Sequence, residues 1–377
     1  MENLDKLEIE EKEKEVLLKL GWIFKDSLKE FSTSVDRSLK YLDKIVLPII
    51  MASKEDKSYN PFSQIIEKYV LHILTRKFEK EGYSLLPLGY SADLTLENDY
   101  HILNIDVKTA NLENSSDFQE TINVGINQLT HVAKLKLGKE FKEFLPSPYF
   151  VYPTIPPFYE INGSKKLILT YGLMFIYPSY SDLIKKIRDE YNKLVSIFNN
   201  KVKNALAQVI ESNFNVSLKE AYKILESKPE KSRYTKGNLI TESLIRGVFI
   251  HKQERESILN SLKMSKDDCE IINEFSKLLD DFVGQLRSKD IKPIAIIAIS
   301  LPNGLLKDKY IDKFVSGKDY AKSARYHYKD GIFEVIKEKT GKNIPRVIFL
   351  DLNDKYKDEL KKYFKKIFVL DYELKEL

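Results

Sequence analysis

The chain has 377 residues, of which 43% are hydrophobic and 31% charged, with a formal net charge of +5. At roughly 150 residues per domain this predicts two or three packed units with a sizeable core, and the composition excludes disordered, collagen-like and low-complexity chains. One cysteine, Cys269, and five scattered histidines exclude a disulfide framework, an iron–sulfur cluster and a cysteine or paired-histidine metal site, and fit a cytoplasmic protein. The apolar runs 167–177 and 294–301 fall short of the roughly 20 residues that cross a bilayer, so neither a membrane anchor nor a signal peptide is expected. No phosphate-binding loop, dinucleotide glycine turn or nucleophile elbow is present.

Residues 2–19 carry seven acids against four lysines, with Leu4, Leu7, Val16, Leu17 and Leu20 at helical spacing, which predicts a solvated amphipathic helix. A second helix is expected over 28–50, then a polar linker. Asn60 and Pro61 supply an N-cap and a first-turn proline for a helix that runs to about Lys80 and stops at Gly82. Strands follow at 84–88, 92–96 and 101–110, the last two a hairpin through the polar loop 97–99, with further strands at 148–152 and 167–177. From 181 to about 288 the pattern is helical, with Ser217 as a cap. Strand character returns at 294–301, 346–351 and 367–371, with a helix over 331–339 ending at Gly341.

Alternation along 101–110 puts Asn104, Asp106 and Lys108 on one face of a strand. A hairpin pairing Leu96 with His101 would set Asp93 opposite Asn104, a diagonal step of about 7 Å from Asp106, where two carboxylates can share one divalent ion. Oxygen ligands without thiolate or imidazole select a hard ion, magnesium. On the helix 61–80, Glu67 shares a side with Leu71, Leu74 and Phe78, and a carboxylate on an apolar flank needs a partner such as a metal or Lys108. The same residues also fit a salt-bridged pair on a solvated sheet, a surface helix acid and, at Gln128, a simple cap.

Ser91-Ala92-Asp93, the triplet Asp106-Val107-Lys108 and the helix acid Glu67 resemble the PD-(D/E)XK nuclease superfamily, in particular its type II restriction endonucleases, as does the stretch 104–128, NIDVKTANLENSSDFQETINVGINQ. The resemblance spans 61–128; alanine stands at 92 in place of the name-giving proline, and Gln128 lacks the tyrosine four residues on that marks recombination exonucleases. It implies that Asp93, Asp106 and the Val107 carbonyl hold magnesium, that Lys108 orients the attacking water or stabilises the phosphate, that Glu67 supports them, and that Gln128 touches water or backbone.

The segment 307–329 holds seven basic residues against three aspartates, interleaved with tyrosines. Its Lys318, Lys322, Ser323, Arg325 and Tyr326 are candidate DNA contacts, with Arg325 a candidate reader of a guanine edge, unless the segment is an ordinary basic helix face. Arg233 and Arg246 belong to a weaker basic cluster.

The expected fold is α/β: a restriction-endonuclease-like mixed sheet of five or more strands flanked by helices, with a helical insertion. The expected divisions are an N-terminal helical segment (1–60), a catalytic core (61–178), the insertion (179–288) and a C-terminal α/β part (289–377) that completes the core. The expected activity is magnesium-dependent, sequence-specific hydrolysis of double-stranded DNA by a homodimer, beside a companion DNA methyltransferase. The alternatives are a structure-specific or repair nuclease of the same superfamily and a non-catalytic DNA-binding protein.

Overall fold

The computed structural model describes residues 5–39, 41, 63–86, 92–112, 115, 118–135, 150–161, 164–178, 181–230, 232, 234–288, 292–317, 322–328, 331–371 and 373–376. They divide into two compact units, one of 1–37, 60–179 and 292–377 and one of 38–59 and 180–291.

The first unit opens with helices α1 (Lys6–Asp26), α2 (Leu28–Leu39) and α3 (Ser63–Glu79). Strands β1 (Ser84–Leu85), β2 (Leu94–Glu97), β3 (His101–Asn111), β4 (Thr121–Gly125), β5 (Ala133–Lys134), β6 (Phe150–Val151), β7 (Phe158–Ile161) and β8 (Ser164–Tyr177) follow. After the second unit the chain returns through β9 (Ala295–Leu301), β10 (Phe314–Ser316), β11 (Ser323–His327) and β12 (Val347–Leu352), and ends in β13 (Phe368–Leu370) and β14 (Leu374–Glu376). A mixed nine-stranded sheet runs β1-β2-β3-β8-β9-β12-β13-β14, with β7 also on β8. A second sheet of five strands runs β4-β11-β10-β5-β6. The expected mixed α/β architecture is therefore present, with an additional sheet.

Two expectations are corrected. The first helix is not solvated: Ile9, Val16, Leu17, Leu20 and Phe24 are buried, and so are Glu10 and Glu13. Phe24 and Phe31 close on Phe175 of β8 at 5.7 and 5.5 Å between ring centroids, each ring contributing about 1.5–3 kcal/mol by leaving water. The alternative reading of 307–329 as a basic helix face also fails: its described residues form short helical turns and the hairpin β10–β11, in which Phe314 pairs and stacks with Tyr326 at 4.7 Å.

The second sheet turns Ile122, Val124, Ala324, Tyr326 and Phe314 inward and leaves Asn123 and His327 exposed, with Arg325 half-buried between Asn123 and Val315. His131, 1% exposed, stacks on Phe314 at 4.2 Å, and its ring Nδ1 lies 2.7 Å from the carbonyl of Val132, to which it donates when protonated. Burial pushes its pKa down to about 4. A histidine with a depressed folded pKa takes up its proton on unfolding, so its share of stability is present above 6.5 and is lost as the pH falls through that value toward 4. His131→Gln is therefore expected to close its stability gap to the parent by about 2.5 kcal/mol between pH 7 and pH 4.5. Denaturant melts at the two pH values measure this, and a gap that does not change with pH would refute it.

The second unit is helical: α4 (Ser181–Phe214), α5 (Leu218–Glu226), α6 (Lys236–Phe249), α7 (Arg255–Ser261) and α8 (Lys266–Ser288). Ser217 caps α5 in a reciprocal capping box with Glu220, and Lys201 holds Asp268 at 3.0 Å, tying α4 to α8. No helix among the described residues is long and apolar enough to cross a membrane.

Candidate active site

The hairpin β2–β3 has a different register from the one the polar loop suggests. Asn98 Oδ1 accepts hydrogen bonds from the backbone N–H groups of Tyr100 and His101 at 2.9 Å each, which closes the turn at Asn98–His101 and pairs Glu97 with Ile102 and Leu96 with Leu103. Continued by one step beyond Leu94–Ile105, that register sets Asp93 across from Asp106 rather than Asn104. The two carboxylates are thereby closer than the diagonal placement would make them.

Asp93 Oδ2 accepts the backbone N–H of Val107 at 2.6 Å. Val107 lies past the last paired residue of β2. A strand residue directs its N–H and C=O to the same edge, so the Val107 carbonyl also faces the Asp93 side. Asp106 is 1% exposed, and Lys108 Nζ lies 2.8 Å from its Oδ2. The other oxygen, Oδ1, is buried without a hydrogen-bond partner. Burial raises its carboxyl to about 6, against the pull of Lys108 and with a further push from Asp93.

Glu67 is half-buried on α3, above Val70, Leu74 and Phe78 in the core. Burial raises its pKa first, the charge of Asp93 adds to this, and Lys108 opposes it. The helix acid thus feels the charges of Asp93 and Lys108.

Among the described residues no three histidine, cysteine or carboxylate side chains are grouped so as to hold an ion by themselves. What is present fits an ion that keeps several waters and takes only one or two carboxylates, as magnesium does: a buried carboxylate with one oxygen unpartnered, a second carboxylate across from it and a carbonyl on the same edge.

Other sequence candidates are placed differently. Gln128 is held in a turn. It is 8% exposed, and its Oε1 accepts the N–H of Gly125 at 2.9 Å. Tyr326 is fully buried under the second sheet, so it packs the core and cannot touch DNA; alternation along β11 turns it inward with Ala324. Lys322 is exposed, and Ser323 and Arg325 are half-buried on the outer face. Lys318 lies outside the described residues, as do Asn60 and Pro61. Part of the segment's positive charge is engaged: Lys309 meets Glu338 at 2.8 Å, Lys313 meets Glu334 at 3.2 Å and Lys307 lies over the Phe150 ring. Sequence reading overlooked Asn123, which faces Arg325 across the β4–β11 ladder; the alternation of Ile122 and Val124 around it was the available signal.

Residues 5–182 match the family model described as type II restriction enzyme MwoI, N-terminal domain. No curated protein matches the chain. Among solved structures, the restriction endonuclease BglI bound to its DNA recognition sequence is similar at a TM-score of 0.34 and 12% identity, covering 93% of this chain and 99% of that one. The tetrameric restriction endonuclease SfiI bound to cognate DNA is similar at a TM-score of 0.31 and 10% identity, covering 86% of this chain and 84% of that one.

Proposed function

We propose that this chain, whose residues 5–182 form a type II restriction-enzyme domain, is a site-specific deoxyribonuclease that hydrolyses phosphodiester bonds of double-stranded DNA with magnesium. The observation that carries the reading is the placement of Asp93 on the Val107 N–H and of Lys108 at 2.8 Å from the buried Asp106, inside the matched segment.

Asp106, Asp93 and the Val107 carbonyl would hold the ion, which when bound polarises a phosphoryl oxygen and lowers the pKa of water. Lys108, with 38% of its side chain exposed, reaches from the buried carboxylate toward solvent. There its ammonium holds the attacking water beside the phosphate and stabilises charge that builds on the phosphoryl oxygens. Glu67 steadies Lys108 from the helix through its opposite charge. Lys108→Ala is expected to lower turnover by about 10²-fold or more while calcium binding stays within a few-fold of the parent. Calorimetry with calcium beside cleavage assays reads the two effects apart, and an equal loss of both would move Lys108 to a structural role.

The outer face of the second sheet, with Lys322, Ser323, Arg325 and Asn123, is the candidate DNA-reading surface. A phosphate contact adds sequence-independent affinity and about one unit of salt slope, whereas a bidentate base contact is worth roughly 1–3 kcal/mol of discrimination. Lys322→Ala is therefore expected to weaken cognate and random duplex alike and to flatten the salt dependence, and Arg325→Ala to weaken the cognate site selectively. Titrations in calcium, which prevents cutting, test this; parent-like binding of both variants across salt would return the surface to a solvated basic face. The site's two-strand chemistry implies a homodimer on double-stranded DNA, acting in the cytoplasm beside a companion methyltransferase.

Incubating plasmid DNA with magnesium and with EDTA tests the function itself. Discrete fragments that appear only with the metal are expected. Intact DNA would favour a non-catalytic DNA-binding protein, and a smear would favour a nuclease without site specificity.

A further inference from the structure

The ladder partner of Asp106 is a glycine. In the parallel pairing of β3 with β8, Asp106 lies beside Gly172, so their side-chain positions share one face of the sheet about 4.8 Å apart. The place a Cβ would take on Gly172 is already filled by Ile122 Cδ1, and Ile299 Cβ lies 3.8 Å from it. Ile122 is fully buried and belongs to β4, the second-sheet strand paired with the one that carries Arg325.

The same segment is tied to the same face one step away. The carbonyl of Gln128 accepts hydrogen bonds from Thr170 Oγ1 at 3.0 Å and Asn104 Nδ2 at 3.4 Å. Asn104 and Thr170 are themselves ladder partners, two residues before Asp106 and Gly172 on their strands. The second sheet is thus held to the catalytic strand at two points: a polar latch at Asn104 and Thr170, and an isoleucine seated in the gap left by a glycine.

We propose that Gly172 is a positioning residue of the metal site: its missing side chain lets Ile122 close along the flank of Asp106, so that the seating of the second sheet sets the position of the Asp106 carboxylate. This rests on the assignment of Asp106 as a metal ligand. Motion of β4, as when the outer face of the second sheet engages DNA, is passed to Asp106 through Ile122.

The test is Gly172→Ala. A methyl at that position meets Ile122 Cδ1, and because Ile122 is buried and branched at Cβ it has few rotamers to escape into, so β4 shifts. The expected result in the full chain is an affinity for manganese about tenfold weaker by calorimetry. The cleavage rate at saturating DNA falls similarly, and the KM for DNA stays within about twofold. Adding Ile122→Val removes Cδ1 and conserves the total of side-chain carbons, so the double variant is expected to return to within about threefold of the parent on both readouts.

If Gly172→Ala alone does not fold, the double variant decides: parent-like manganese affinity supports the coupling, and a folded double variant that binds weakly overturns it. Parent-like behaviour of a folded Gly172→Ala also overturns it. A parent that binds manganese yet cuts no duplex would sink the nuclease reading alone, because the manganese titrations still report whether Gly172 positions Asp106.

Discussion

Asp106→Ala is expected to lower the cleavage rate by at least about 10³-fold, the several kcal/mol that a bound metal supplies at the reacting phosphate, while leaving the fold intact. The same change is expected to stabilise the metal-free protein. The Asp106 carboxylate is 1% exposed, and burial raises its pKa from 3.8 to about 6 despite Lys108. A carboxyl with a raised folded pKa favours the folded state below its unfolded pKa, and that contribution is lost as the pH rises through the folded value. In EDTA the variant's advantage therefore grows from pH 4 to beyond pH 6 and reaches on the order of 2–3 kcal/mol. Plasmid cleavage time courses and melts in EDTA at three pH values check both parts. Parent-rate cleavage would remove Asp106 from the site, and a pH-independent difference in stability would contradict the account of its burial.

The second large effect is on stability alone. Arg346→Met is expected to destabilise the first unit by about 3–5 kcal/mol, because it strands buried carboxylates without their counter-charge. Arg346 is fully buried, with Glu10 Oε1 at 3.0 Å and Glu13 Oε2 at 2.7 Å. Its guanidinium also lies over the rings of Tyr310 and Phe333 at 4.5 and 4.2 Å. Both acids come from α1, and they reach the first unit's backbone as well: Glu13 accepts from Asn303 N at 2.6 Å and Glu10 from Ile336 N at 2.9 Å. Burial holds the Glu13 carboxyl up at about 7 against the pull of Arg346, a sign of how little water reaches the cluster. Urea melts measure the loss, and a shift below 1 kcal/mol would mean that the cluster is solvated. Replacing Arg346, Glu10 and Glu13 together by apolar residues of similar volume is expected to recover most of the stability, since the penalty belongs to the unpaired charge.

The strand that carries Asp106 and Lys108 was legible in the sequence because it is a local pattern. Period-two alternation over His101–Ala110 suffices to put Asn104, Asp106 and Lys108 on one face, and the structure keeps them there. The helices of the second unit were legible for the same reason, down to the Ser217 cap confirmed by its capping box. The structure decided what alternation and capping leave open. The register that sets Asp93 across from Asp106 follows from a local turn, in which the side chain of Asn98 satisfies the backbone N–H groups of Tyr100 and His101; the remaining cases depend on partners distant in the chain. Apart from β6, which lies within the expected strand 148–152, the second sheet is assembled from strands of two to five residues drawn from 121–134 and 314–327, too short to announce themselves before they pair. The acids of the first helix read as solvent-facing because their guanidinium partner stands at position 346. Gly172 looked like any strand glycine until Ile122 was seated against it. Alternation and capping act between neighbours and are written locally, whereas counter-charge, strand pairing and close packing are satisfied only once the chain has brought distant residues together.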